Sequence, residues 1–118
     1  MSSKILARKA AGILEKRKGE DILIIDIGEK SSFADYFILA SGGSERQIGS
    51  LADDVEDALA EDDMLAKNIE GTKESGWILM DYGDIIINVM TRDMRERYNI
   101  EKLWADCNYL PLEDNEEA

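Results

Sequence analysis

Residues 76–90 read GWILMDYGDIIINVM. Two apolar runs lie either side of Tyr82-Gly83. Both are short, and the second is rich in isoleucine, which marks them as strands. Glycine at the position that needs positive φ makes the pair an antiparallel hairpin with a tight turn. Alternation then puts Trp77, Leu79 and Asp81 on one face of the first strand and Ile78, Met80 and Tyr82 on the other. In the second strand Ile85, Ile87 and Val89 alternate with Ile86, Asn88 and Met90. Asn88 is a lone polar residue inside an apolar strand, which signals one face that is not fully buried. Periodicity alone leaves Trp77 open between core packing and a surface role.

The rest of the chain supplies the layers around this hairpin. DILIID (21–26) and DYFILAS (35–41) are continuous apolar runs, read as buried strands of a sheet interior. LAKNIEG (65–71) is a weaker strand. Residues 3–18 are a helix with Leu6, Ala10, Ile13 and Leu14 on one face, and Gly19 is placed as its left-handed cap. Ser44 and Gln47 have the spacing of a capping box, and Ile48, Leu51, Ala52, Val55, Ala58 and Leu59 follow as one stripe, so a second helix starts there. Residues 91–107 carry one or two short helices, with Asn99 as an N-cap. The order is α-β-β-α-β-β-β-α. That predicts a single α/β (α+β) domain over residues 1–112, with a mixed five-stranded sheet and flanking helices. Residues 113–118 are an acidic tail, expected to be disordered.

Composition limits the chemistry. The chain has 118 residues and is 44% hydrophobic, enough for one core. No apolar run approaches the ~20 residues of a membrane span, and the basic N-terminus reads as a mature amphipathic helix, not a signal peptide. Cys107 is the only cysteine and there is no histidine. An intrachain disulfide, a Ser-His-Asp or Cys-His unit and a His-based metal site are therefore excluded, and a reducing cytoplasm fits. The formal net charge of -12 disfavours bare nucleic acid and suits a basic protein partner. Residues 1–19 carry six basic groups and one acidic, whereas residues 44–66 carry eight acidic and one basic.

Several constellations have two readings. ILASGGSERQIG (38–49) is either a strand-to-helix turn or a loose phosphate cradle, though it lacks G-K-[ST] and a full G-x-G-x-x-G. Asp21, Asp26, Asp35, Asp81 and Asp84 sit at strand ends or turns, where they solvate the ends or hold Mg²⁺; no D-x-D occurs. Arg92, Arg95 and Arg97 either pair with acids inside the domain or touch nucleic acid or an acidic rim. These features motivate an alternative function, a nucleotide-binding or nucleotidyltransferase-like enzyme. A helical roof too small for a five-stranded sheet would leave Trp, Leu and Met exposed on one face, rimmed by Asp and Arg, as in a protein-binding hot spot. Such a face also invites a homodimer of the free protein.

SSFADYFILASGGSERQIGSLADDVEDAL (31–59), IEG (69–71), SGWILMDYGDIIINVM (75–90) and RERYNIEKLW (95–104) together resemble the ribosomal silencing factor family, also called the Iojap family. The resemblance is collinear over residues 6–105. It implies a nucleotidyltransferase-like fold without that activity: no enzyme, no cofactor, no metal. It implies binding to the large ribosomal subunit through ribosomal protein uL14 at the intersubunit face, which blocks subunit association and represses translation under nutrient limitation in the cytoplasm. Little direct nucleic-acid contact and no membrane contact are expected. Carried onto this chain, Trp77 and Leu79 would be the apolar anchor, extended by Met90, while Asp81, Asn88 and Glu101 would offer polar or acidic groups. Tyr98 and Trp104 would mainly pack the last helix. Asn88 departs from the family pattern, which commonly has histidine there.

Overall fold

The structure is a computed structural model and describes residues 2–113. Helix α1 (Ser3–Lys16) starts at Ser2, whose side chain accepts from the Ile5 amide, and buries Leu6, Ala7, Ala10, Ala11 and Leu14. It closes in a Schellman arrangement: the Lys18 amide donates to Glu15 O and the Gly19 amide to Leu14 O. The left-handed residue is Lys18, at φ 70°, and not the expected Gly19. Gly19 is instead the next residue, where an added Cβ would stand 3.0 Å from Leu14 O.

Strands β1 (Glu20–Asp26) and β2 (Tyr36–Gly42) follow. Helix α2 (Glu45–Ala60) is capped by Ser44 Oγ, which accepts from the Gln47 amide at 3.1 Å. Gln47 reaches back one residue further than a capping box requires, accepting from the Gly43 amide at 2.7 Å. The predicted apolar stripe is the buried one: Ile48, Leu51, Ala52, Val55 and Leu59. Next come the short strand β3 (Asn68–Glu70), a 3-10 turn (Lys73–Ser75), and the hairpin strands β4 (Trp77–Asp81) and β5 (Ile85–Thr91). Gly83 takes φ 87° at the hairpin turn. Helix α3 (Arg92–Tyr98) and the single turn α4 (Ile100–Leu103) then lead into β6 (Asn108–Leu110). Asn99 is not a side-chain N-cap: it is left-handed, at φ 43°, and kinks the chain between the two helices.

The sheet is mixed, as predicted, in the order β3-β4-β5-β2-β1-β6. The β2–β5 pair is parallel and the others are antiparallel. The sixth strand, beyond the five expected, is only Asn-Tyr-Leu, and it exists because Ile24–Asp26 offer it a ladder. So short a run has no signature of its own. The tail prediction, apart from Glu113, lies outside the described residues.

Each sheet face has its own core. Ile24, Ile38, Ala40, Ile78, Met80, Ile85, Ile87 and Val89 pack under α1 and α2. Ile25, Leu39, Ile86 and Met90 form a second cluster with Ile27, Ala34 and Ile100, against which Trp104 and Cys107 rest. Every residue of β5 from Ile85 to Met90 is buried. Each of these isoleucines stabilises the fold by about 2 kcal/mol through leaving water. The expected uncovered face is therefore largely roofed. The roof is α3, α4 and the segment after them, and the exposure that remains lies at Leu23, at Phe37 and along β4, where burial alternates strictly.

Candidate protein-docking face

Trp77 enters its strand from a rigid corner. Thr72 and Ser75 cap the 3-10 turn reciprocally, and Ser75 Oγ also bonds Trp77 O at 3.0 Å. Gly71 must be glycine: at φ 82°, a Cβ would meet Trp77 O at 2.1 Å. The Thr91 amide donates to Gly76 O at 2.8 Å, tying the corner to β5.

The register settles which residues share the face. Trp77 lies opposite Met90, Leu79 opposite Asn88 and Asp81 opposite Ile86. The structure thus brings Trp77, Leu79, Asp81, Asn88 and Met90 together, but at two depths. Trp77, Leu79 and Asp81 are half-buried and reach solvent. Asn88 and Met90 have no exposed surface, so neither can touch a partner in this conformation. Asn88 Oδ1 accepts the Trp77 indole N–H at 3.0 Å. Glu101 is drawn inward: its Oε2 accepts from Arg95 Nε at 3.2 Å, and its Oε1 is buried without a partner among the described residues. Asp81 Oδ1 accepts from the Gly83 amide at 2.8 Å, which leaves its other oxygen for the rim.

Two residues of this face differ from the sequence reading: Tyr98 was expected mainly to pack the last helix, and Met94 was not singled out. Tyr98, 54% exposed, stands beside Trp77 with ring centroids 5.5 Å apart and planes tilted by 45°. Met94, one helical turn earlier, joins Trp77, Leu79, Glu70, Gly71 and Ser75 around an apolar groove of about 300 Å³. The i, i+4 spacing of Met94 and Tyr98 was the available signal. Trp104 does pack, edge-on to Phe37 with centroids 5.6 Å apart.

Several of the features behind the enzyme alternative are engaged otherwise. The Gly43 amide, which a phosphate cradle would need, is held by Gln47. Asp26 Oδ1 accepts from the Gly28 amide at 3.2 Å, a turn hydrogen bond. Among the described residues no three Asp, Glu, Cys or His side chains group as a metal site. Arg92 is clamped by Glu20, with Nε 2.6 Å from Oε1, and holds that carboxyl below the usual carboxylate range. Arg95 is buried between Ser41 and Glu101. Arg97 is exposed.

The chain is thus a one-domain α+β sheet protein with an apolar groove beside a half-buried tryptophan, a feature that protein-docking surfaces share. The family described as ribosomal silencing factor during starvation matches residues 1–118. The ribosomal silencing factor RsfS of Bacillus subtilis is 37% identical over 114 residues, covering 97% of this chain and 94% of that protein. A mouse protein named for mitochondrial assembly of the ribosomal large subunit is 29% identical over 97 residues, covering 79% of this chain and 42% of its own. The crystal structure of a Chromobacterium violaceum protein superposes with a TM-score of 0.85 at 34% identity, covering 89% of this chain and 88% of its own. The chain belongs to the ribosomal silencing factor family.

Proposed function

We propose that this protein docks on the large ribosomal subunit through the Trp77–Leu79 groove, with ribosomal protein uL14 at the intersubunit face as its receptor. Bound there, it blocks subunit association and so represses translation under nutrient limitation, in the cytoplasm and without catalysis. The observation that carries this reading is the half-buried Trp77, flanked by exposed Tyr98 and an apolar groove, in a chain of this family. Aromatic anchors beside a small pocket are where binding energy concentrates. Glu70 and Asp81 at the rim, with the net charge of -12, complement a basic ribosomal protein better than bare RNA. A standard interface takes about 800 Å² from each partner, a small share of the 6829 Å² available. The domain measures 38 × 33 × 28 Å, so even its thinnest dimension would hold two subunit surfaces apart. No chemical step is needed. A second copy of the chain is the competing occupant of the same face when the protein is free.

The test is co-sedimentation with salt-washed large subunits, followed by a subunit-joining assay. Wild type should pellet with large subunits and reduce joining. Trp77→Ala should fold and weaken binding by about 2–4 kcal/mol. Wild type that stays in the supernatant at moderate salt would sink the reading.

A further inference from the structure

Asn88 sits in the middle of β5 with no exposure at all, flanked by Ile87 and Val89. A polar side chain in such a place costs stability unless it makes a bond that leucine could not. Only one of its two polar atoms has a partner. Oδ1 accepts the Trp77 indole N–H at 3.0 Å, while Nδ2 is buried with none among the described residues. The indole nitrogen is a donor only, so this single bond fixes which way the ring is turned. Its direction follows from the register. Trp77 is opposite Met90 and Asn88 opposite Leu79, so the bond runs diagonally across the ladder and draws the indole over β5. Tyr98 also stands against the ring, with centroids 5.5 Å apart.

We infer that Asn88 is a positioning residue of the docking face. It touches no partner; it holds Trp77 in the orientation the partner meets, so that the ring is ordered before binding and not by it. This rests on the docking reading above. A tryptophan already held in place spares the complex the ordering penalty of a mobile side chain, worth roughly three- to tenfold in Kd.

The experiment uses the full chain with Trp104→Phe, so that Trp77 is the sole tryptophan. Near-ultraviolet circular dichroism of the free protein reports the fixed indole, and co-sedimentation with large subunits reports affinity. Asn88→Leu should fold, lose most of the Trp77 band and bind about three- to tenfold more weakly. Asn88→Asp keeps the acceptor and, at mildly acid pH where its buried carboxyl is neutral, should retain the Trp77 band. With Trp77→Phe, which has no N–H to donate, Asn88→Leu should bring no further loss of affinity. An unchanged Trp77 band in Asn88→Leu overturns the proposal, as does an equal affinity loss from Asn88→Leu with Trp77 or Phe at that position. Should Asn88→Leu not fold, Asn88→Val carries the same comparison. If the parent chain fails to bind large subunits, the docking reading falls, and the circular dichroism alone decides whether Asn88 fixes the indole.

Discussion

Tyr82 follows the last residue of β4 and turns its ring into the α1–α2 core, where its hydroxyl finds no hydrogen-bond partner among the described residues. Burial, and secondarily the negative charge of Glu56, push its pKa up to about 12. The unfolded value is near 10. A raised folded pKa means that the native state keeps the proton longer than the unfolded state. Stability from this group is therefore complete below about pH 10 and is lost as pH rises towards 12. Tyr82→Phe should fold normally and flatten the alkaline decline between those values, read from urea midpoints at pH 9, 10 and 11. At this scale the sequence told much. The alternation of WILMDY placed Trp77 and Tyr82 on opposite faces, as observed, because side chains on a strand have no third choice. It could not say that Asn88 and Met90 lie beneath Trp77 and not beside it in solvent. Depth depends on what packs above a strand, and α3 comes from a later part of the chain.

Among the elements, α3 is held by one buried side chain. Arg95 Nη1 donates to Ser41 Oγ at 3.0 Å on β2, and its Nε donates to Glu101 on α4. Arg95→Met keeps the aliphatic stem but leaves both partners unsatisfied. We expect a loss of about 2 kcal/mol, discounted because Glu101 is partly exposed. The melting temperature should fall by about 8 °C, and Met94 and Tyr98 should shift from the Trp77 groove, weakening large-subunit binding in co-sedimentation. The intradomain pairing of Arg92 and Arg95 was one of two readings open in the sequence, and the structure selects it. Helix α2 was legible almost to the residue, since its cap and stripe are local signals. β6 and the left-handed Lys18 and Asn99 were not, because a three-residue strand and a single φ angle are imposed by the chain they pair with or lead into.

For the whole molecule, the C-terminal return closes the sheet. β6 pairs with Ile24–Asp26, Arg8 Nε donates to Pro111 O at 3.1 Å, and Leu110 and Leu112 pack on the core below. A chain ending at residue 105 would expose the β1 edge and lose roughly 3 kcal/mol. It should melt lower and associate as concentration rises, which scanning calorimetry and sedimentation velocity would show; an unchanged monomer would count against this role. The sequence by itself determined the mixed sheet, both long helices, the hairpin and which residues of β4 and β5 share a face, because periodicity, caps and turn glycines act between residues close in the chain. Only the tertiary structure decided which part of the second face stays open. That outcome depends on where α3, α4 and the residues after them come to rest: they cover β5 fully but only flank β4, while β6 extends the sheet at the β1 edge, so a groove stays open at Trp77.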